Sequence, residues 1–133
     1  MKEFRLQPRF ADMGERHVRS TAIPVWCEEA RVSLYEEVSR RAGETAVFGV
    51  VRRAEYDYRR ELYYRAEALI RTAVQAIGTS SATVVQEIWQ NDQLAVRALV
   101  VLVQVNRVTG EKLPLSTASR IYLEELMSAD GTG

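Results

Sequence analysis

The feature that most constrains the fold is one long amphipathic helix followed by a long stretch of strand-like sequence. Six apolar residues recur at helical spacing between Ser20 and Ala42 and predict a single buried face: Ile23, Trp26, Cys27, Ala30, Leu34 and Val38. Gly43 predicts the end of this helix, and the segment from Thr45 to Asn106 then has the composition of strands. A sheet must cover its apolar face, so the sequence predicts an α+β fold in which a sheet packs on one helix.

Five strands are expected beside this helix, in segments rich in β-branched and aromatic residues. They run approximately over Phe4–Phe10, Ala46–Tyr58, Ala66–Ile77, Ser80–Gln90 and Leu94–Asn106. The later strands are linked by the short stretches RRELYYR, GTS and QNDQ, which cannot contain the crossover that parallel neighbours need. The sheet is therefore predicted to be antiparallel, with at least the last three strands joined as consecutive hairpins.

The ends and the polar side of the helix also follow from the residues. The stretch ADMGERHVRS before it predicts a polar loop, and Ser20 or Thr21 is expected to cap its first turn. The charged residues predicted on its solvent side are Glu28, Glu29, Arg31, Glu36, Glu37 and Arg40. A short second helix is predicted within LPLSTASRIYLEELM, capped at Ser116, and the tail SADGTG is expected to fray.

Length and composition exclude several classes of protein. The 133 residues fit one domain, 1–133, and the balance of 18 basic against 18 acidic residues argues against a nucleic-acid partner. One cysteine and one histidine exclude an internal disulfide and leave too few ligands for a structural zinc site. No apolar stretch approaches the roughly 20 residues of a membrane span, and the N-terminus lacks the apolar core of a signal peptide. We therefore expect a soluble protein in a reducing, cytoplasmic setting.

Three segments together resemble one known family. RFADMGERHVRSTAIPVWCEEAR, from Arg9 to Arg31, resembles the motif R-[YF]-x-D-x-D-x-x-G-H-V-N-N-x-x-Y-L-x-Y-F-E-E-A-R of hotdog-fold acyl-CoA thioesterases of the 4-hydroxybenzoyl-CoA type. AIGTSSATVVQEIW is similar to the strand-turn-strand of that family. LVVLVQVNRVTGEKLPL is similar to its last strand, the Thr-Gly turn after it and the Leu-Pro segment that follows. The resemblance implies the hotdog fold, a five-stranded antiparallel sheet wrapped around one long central helix, with a short C-terminal helix.

The resemblance also implies catalytic residues in the loop before the helix. The acid of the family lies four residues before the histidine position, which is Met13 here, so a one-residue slip makes Asp12 the candidate base or nucleophile. The backbone amide of Ser20 is then the expected donor to the thioester oxygen, because helix N-termini present unpaired N–H groups. His17 is expected either to contact the substrate or to be a plain structural donor. The alternative for Asp12 is that it only bonds loop amides.

Other candidates have both a functional and a plain reading. The resemblance places Tyr58 and Arg59 near the acyl pocket and the subunit interface, although a strand end with aromatic packing explains them too. It places Thr79, Ser80 and Ser81 by the CoA channel, although these residues also suit a polar hairpin turn.

The helix offers two further candidate groups. Glu28 and Glu29 are carboxylates on the helix, where a salt-bridged surface is the default. Cys27 is expected to pack in the core rather than to act as a nucleophile.

The expected function is hydrolysis of an acyl-CoA or acyl-carrier-protein thioester by a homodimer or homotetramer. No metal and no cofactor is expected, because CoA or phosphopantetheine enters as part of the substrate. Two alternatives stay open at this point. One is a non-catalytic hotdog protein that binds acyl chains or partner proteins, and the other is a product-releasing thioesterase of a biosynthetic, polyketide-like pathway.

Overall fold

A computed structural model describes residues 1–128, so the predicted frayed tail lies outside the described residues from position 129 onward. The elements in chain order are β1 (Lys2–Leu6), a 3₁₀ turn (Phe10–Asp12), α1 (Ala22–Ala42), β2 (Ala46–Tyr58), β3 (Ala68–Ile77), β4 (Ser81–Gln90), β5 (Gln93–Asn106) and α2 (Thr117–Ser128). The predicted α+β hotdog architecture is confirmed: five antiparallel strands, one long helix and a short C-terminal helix.

The strand order in the sheet is β1-β3-β4-β5-β2, and every pairing is antiparallel. The predicted hairpins from β3 through β5 are confirmed. The strand β2 pairs with β5 rather than with β3, which follows it in sequence. The stretch 59–67 therefore carries the chain from one side of the sheet to the other, and β1 and β2 form the two edges.

Two local features explain why the strands turn and bend where they do. Asn91 and Asp92 both have positive φ, 53° and 60°, between β4 and β5, which is the signature of the two-residue type I′ hairpin loop. Gly49 has φ 101° at a bulge in β2. A Cβ at Gly49 would lie 2.6 Å from the Tyr35 ring, so only glycine lets α1 approach the sheet at this point.

The helix α1 lies on the sheet as the apolar spacing predicts. All six residues of its predicted apolar face are buried. Ile23, Trp26 and Cys27 belong to a core cluster with β3, β4 and β5 near the start of the helix. Leu34 and Val38 belong to a second cluster with α2 and the other end of the sheet. The helix thus covers one face of the sheet along its length.

The prediction that Arg31 lies on the solvent side of α1 is wrong, because this residue is 2% exposed. Its Nη1 donates to Oε1 of Gln86 in β4 at 2.9 Å, and its Nε donates to the Tyr35 hydroxyl. The amide of Gln86 in turn donates to the Cys27 carbonyl at 2.9 Å and to the Thr72 hydroxyl at 3.1 Å. A polar network between α1 and the sheet therefore gives the buried guanidinium its hydrogen-bond partners, which helical spacing alone cannot reveal.

Several predicted ends are also corrected. The first strand ends at Leu6 instead of Phe10, because Pro8 has no N–H for a ladder. Thr21 is the cap residue of α1, but its side chain makes no capping hydrogen bond. The predicted cap of the second helix is confirmed, since the Ser119 amide donates to Oγ of Ser116 at 3.0 Å.

Candidate active site

The loop between β1 and α1 is held together by backbone hydrogen bonds. The Gly14 amide donates to the His17 carbonyl at 2.8 Å, and the Arg19 amide donates to the Asp12 carbonyl at 2.9 Å. The Val18 amide donates to the Leu62 carbonyl at 2.8 Å, which ties this loop to the stretch between β2 and β3. These bonds fix the direction in which the chain enters α1.

Asp12 lies on the inner side of this loop and is 9% exposed. Its Oδ2 accepts hydrogen bonds from the Arg9 amide at 2.9 Å and from Arg9 Nε at 3.2 Å. Burial raises the pKa of this carboxyl, but the two bonds from Arg9 and a contribution from the Trp26 side chain outweigh it, and the net pKa is lowered. The carboxylate is thus charged and engaged within its own loop, as the plain reading of Asp12 predicts.

A cavity of about 380 Å³ opens at the N-terminal end of α1, and we call it the helix-end pocket. Its lining consists of His17, Val18, Ser20, Ile23, Tyr58, Arg59, Arg60, Glu61, Leu62 and Val96. Four of the predicted site residues therefore come together here: His17, Ser20, Tyr58 and Arg59. Asp12 is not part of this lining.

The Ser20 amide is the feature of the helix-end pocket best suited to bind an oxyanion. Ser20 lies one residue before Thr21, the cap residue of α1, next to the helix end where the first amides carry partial positive charge. The Ser20 N–H makes no hydrogen bond to any atom of residues 1–128. The Tyr58 hydroxyl donates to the Ser20 carbonyl at 3.3 Å, which helps to hold this peptide in place.

His17 and Glu61 meet in the same pocket. Nδ1 of His17 lies 2.9 Å from Oε2 of Glu61 and 3.1 Å from the carbonyl oxygen of Val18. Sequence reasoning missed Glu61, because tertiary contacts, among them the backbone bond between Val18 and Leu62 and the packing of these two residues in the core, bring the stretch 59–67 against the loop before α1.

A second cavity of about 430 Å³, which we call the sheet-face pocket, contains Thr79, Ser80 and Ser81. Its other lining residues are Arg52, Val101, Val103 and Lys112. Arg52 is the extra residue of a bulge in β2, between Val51 and Arg53. Neither Arg52 nor Lys112 forms a salt bridge within the part of the chain that the structure describes. Sequence reasoning did not connect these two cations with the serines.

The two pockets lie on opposite faces of the sheet. Val100 and Leu102 pack with α1 residues in one core cluster, so the alternating residues Val101 and Val103 face away from the helix. Val96, in the helix-end pocket, and Val103 are seven residues apart in β5, which is roughly 20 Å at about 3.3 Å per residue.

The remaining candidates lie outside both pockets. Glu29 binds Nη2 of Arg9 at 2.8 Å, and Glu28 is exposed on the helix surface. Cys27 is fully buried, and burial raises the pKa of its thiol to about 12, so it packs in the core as predicted. No group of three His, Cys, Asp or Glu side chains among the described residues is placed to hold a metal ion. No described helix is long and apolar enough to cross a membrane.

The fold and the helix-end pocket together define a hotdog protein of the thioesterase class. The family model described as "Thioesterase-like superfamily" matches residues 8–127. The chain belongs to this superfamily. The narrower resemblance to the 4-hydroxybenzoyl-CoA type is not confirmed.

Solved structures similar to this chain come from several bacteria. A predicted thioesterase from Bacillus stearothermophilus is 27% identical with a TM-score of 0.85, and the match covers 94% of this chain and 95% of that one. A thioesterase of Thermus thermophilus, complexed with coenzyme A and Zn, is 26% identical with a TM-score of 0.81, covering 95% and 93%. A DHNA-CoA thioesterase from Staphylococcus aureus, 14% identical, shares the fold with a TM-score of 0.80, covering 97% and 93%. No curated protein matches the sequence.

Proposed function

We propose that this protein hydrolyses acyl thioesters of coenzyme A, with the reacting carbonyl bound in the helix-end pocket. The observation that carries the proposal is the unpaired amide of Ser20, one residue before the cap of α1, in a cavity lining that also includes His17 and Tyr58. A Thermus thermophilus relative that covers nearly the whole chain is known in complex with coenzyme A. Membership of the thioesterase-like superfamily supports the same chemistry.

The Ser20 amide suits the charge that develops during thioester hydrolysis. When water or a carboxylate attacks the carbonyl carbon, negative charge moves onto the carbonyl oxygen. A fixed N–H at a helix N-terminus stabilises this oxygen more than it stabilises the neutral ground state. Thiolate is a good leaving group, so the reaction depends more on this donor and on an attacking oxygen than on a strong acid.

The role of Asp12 as base or nucleophile stays a prediction. Both hydrogen bonds to Oδ2 come from Arg9, and the carboxylate lies behind the loop rather than in the cavity lining. For direct attack on a substrate in the helix-end pocket, the loop would have to turn this carboxylate outward. Substitution of Asp12 therefore separates a chemical role from a structural one.

We propose that the sheet-face pocket takes the phosphates of CoA. Arg52 and Lys112 supply positive charge, and Thr79, Ser80 and Ser81 supply hydroxyl and amide donors. Arg59 and Arg60 also line a further cavity, together with Gln93 and Leu94, where they offer charge to the substrate. The strand β2 contributes Tyr58 to one pocket and Arg52 to the other, so its edge connects the two faces.

We propose that two copies associate through β2, which is an edge strand of the sheet. This strand is 13 residues long, and residues 50–55 are all exposed. A long unpaired edge is a template for another strand, and pairing with a copy of itself across a two-fold axis would remove the exposed donors and acceptors. Sedimentation equilibrium would test this dimer against a monomer or a tetramer.

A carrier-protein substrate, the absence of any cofactor and a cytoplasmic location all stay predictions from the sequence. A chelator should leave turnover unchanged if no metal takes part. A second candidate function is acyl binding without turnover, and one observation favours it. Met13 occupies the position of the family acid, and the nearest carboxylate, Asp12, is engaged by Arg9.

The experiment that tests the proposal measures thiol release from short, long and aromatic acyl-CoAs and from the same acyl groups on a carrier protein. Turnover of CoA esters supports the proposal, and turnover of carrier-bound esters alone moves the assignment to the biosynthetic alternative. Binding without turnover of either substrate overturns hydrolysis in favour of the acyl-binding alternative. Asp12→Asn and Asp12→Ala in the same assay show whether this carboxylate takes part in the chemistry.

A further inference from the structure

The helix-end pocket contains a histidine and a glutamate, His17 and Glu61, that the thioesterase resemblance does not assign as a pair. Nδ1 of His17 has two oxygen neighbours, the Val18 carbonyl at 3.1 Å and the Glu61 carboxylate at 2.9 Å. Both side chains line the cavity that contains the Ser20 amide. They are half-exposed, at 44% for His17 and 55% for Glu61, so solvent and substrate can reach them.

The neighbours of His17 determine which ring nitrogen carries the proton. A carbonyl oxygen and a carboxylate oxygen can only accept hydrogen bonds, so Nδ1 must be the N–H of the neutral ring. The lone pair is then on Nε2, which makes no hydrogen bond to the described residues 1–128. A ring held in this tautomer, with Nε2 free, has the form that a general base requires.

We propose that His17 is the general base of this site and that Glu61 is its positioning residue, an inference that rests on the proposed thioester hydrolysis. Nε2 takes a proton from water as the water oxygen bonds to the carbonyl carbon, and the carbonyl oxygen becomes an oxyanion at the Ser20 amide. The oxyanion then collapses, the C–S bond breaks, and the thiolate takes the proton back from the imidazolium. The products are a carboxylic acid and free thiol, and no other reactant is needed.

The charge of Glu61 contributes to this role in two ways. It favours the tautomer with the proton on Nδ1, and it stabilises the imidazolium that forms during attack. The other ionisable groups lining the pocket are Tyr58, Arg59 and Arg60. Arg59 is paired with Asp57 at 2.7 Å, and Glu61 is the only carboxylate in the lining.

The experiment compares His17→Gln, Glu61→Gln and Asp12→Asn on an acyl-CoA that the wild type hydrolyses. Loss of a general base typically lowers the rate by about 10²–10⁴-fold, so kcat of His17→Gln should fall within that range with KM little changed. Glu61→Gln should lower kcat by about tenfold or more, because the carboxylate that stabilises the imidazolium is lost, while the Val18 carbonyl still accepts from Nδ1. Glu67→Gln is the matched control: Glu67 is an exposed acid of the same stretch, paired with Arg5, and its kcat should equal that of the wild type.

NMR supplies a readout that a merely structural role for Glu61 would not change. His17 is the only histidine, so long-range ¹⁵N–¹H spectra report one ring without assignment. The wild type should show the Nδ1–H tautomer. Glu61→Gln should shift part of the ring population toward Nε2–H, because only the Val18 carbonyl then holds the Nδ1 proton, while circular dichroism stays unchanged. A wild-type ring already protonated on Nε2 would overturn the proposal.

The kinetic outcomes separate this inference from the proposed function. If the wild type hydrolyses thioesters and folded His17→Gln keeps its kcat, the inference is wrong and hydrolysis stands. The same holds if Asp12→Asn abolishes turnover while Glu61→Gln does not. A wild type without any thioesterase turnover overturns the proposed function. It then also overturns the roles proposed for His17 and Glu61.

Discussion

The helix-end pocket and the sheet-face pocket have similar volumes but opposite chemistry. The first combines an imidazole, a carboxylate and the unpaired amide of Ser20 just before α1, which are groups that move protons or stabilise a developing charge. The second has two cations and three hydroxyl side chains, and its lining among residues 1–128 includes no carboxylate or imidazole that could act as a base. The comparison teaches that one site is suited to bond breaking and the other to holding a fixed anion. Substitutions in the first should therefore act on kcat, and substitutions in the second on KM.

The strongest test of the helix-end pocket removes the Ser20 amide proton. Ser20→Pro has no N–H, and losing one oxyanion donor costs about 10²–10³-fold in kcat in acyl-transfer enzymes. Stopped-flow or endpoint thiol release would measure kcat and KM. Ser20→Ala keeps the amide and should behave like the wild type. Equal kcat in a folded Ser20→Pro variant would exclude this amide as the oxyanion donor.

Asp12→Asn tests whether the Asp12 carboxylate stabilises the folded loop beside the helix-end pocket. The hydrogen bonds from Arg9 hold the Asp12 pKa below its ordinary value of 3.8, so the charged form stabilises the folded state. This contribution is complete above about pH 4 and is lost as pH falls through the lowered pKa. At pH 7 the substitution should reduce the free energy of unfolding by about 1–3 kcal/mol.

Thermal unfolding at a series of pH values checks this prediction. The difference in Tm between the wild type and Asp12→Asn should be largest at pH 7. It should shrink as pH falls from about 4 through the lowered pKa, because the unfolded chain is protonated first and the native carboxyl only below its lowered pKa. Glu67→Gln, which alters an exposed pair, should change Tm little at either pH. A Tm difference that does not depend on pH would mean that the charge of Asp12 contributes nothing to stability.

The sheet-face pocket is tested by removing its two cations. Arg52→Ala combined with Lys112→Ala should raise KM for acyl-CoA about tenfold, equivalent to about 1.4 kcal/mol, and should leave kcat unchanged. An acyl N-acetylcysteamine ester carries no phosphate, so its KM should stay the same. Arg53→Ala is the control, because Arg53 is bound to Glu55 and lies outside the pocket. A fall in kcat with unchanged KM would contradict the assignment of substrate binding to the sheet-face pocket and of catalysis to the helix-end pocket.

The regular parts of the fold could be predicted because they depend on local spacing. The apolar face of α1 follows from its helical period, and the turn at Asn91 and Asp92 follows from residues that tolerate positive φ. Arg31 was placed wrongly because its partner Gln86 lies on another strand, 55 residues away in sequence. No periodicity within α1 contains that information.

The pairing in the helix-end pocket was beyond sequence reasoning for a similar reason. His17 and Glu61 meet because β2 pairs with β5 at the edge of the sheet, and because the stretch after β2 returns past the start of α1. The motif around His17 contains two of the residues that line the helix-end pocket, His17 and Ser20. Glu61, whose Oε2 lies 2.9 Å from Nδ1, comes from a segment outside that motif.

The smallest effect is expected at Cys27, which tests whether any chemistry of the helix-end pocket depends on the nearby thiol. Cys27 lies in α1, one turn beyond the pocket residue Ile23, and it is fully buried. Burial raises its pKa to about 12, so almost no thiolate forms at neutral pH. A thiol reagent such as Ellman's reagent should leave the native protein and its turnover unchanged and should titrate one thiol per chain in denaturant. Rapid labelling of the native protein with loss of activity would place an accessible nucleophile beside the pocket and would contradict this packing of α1.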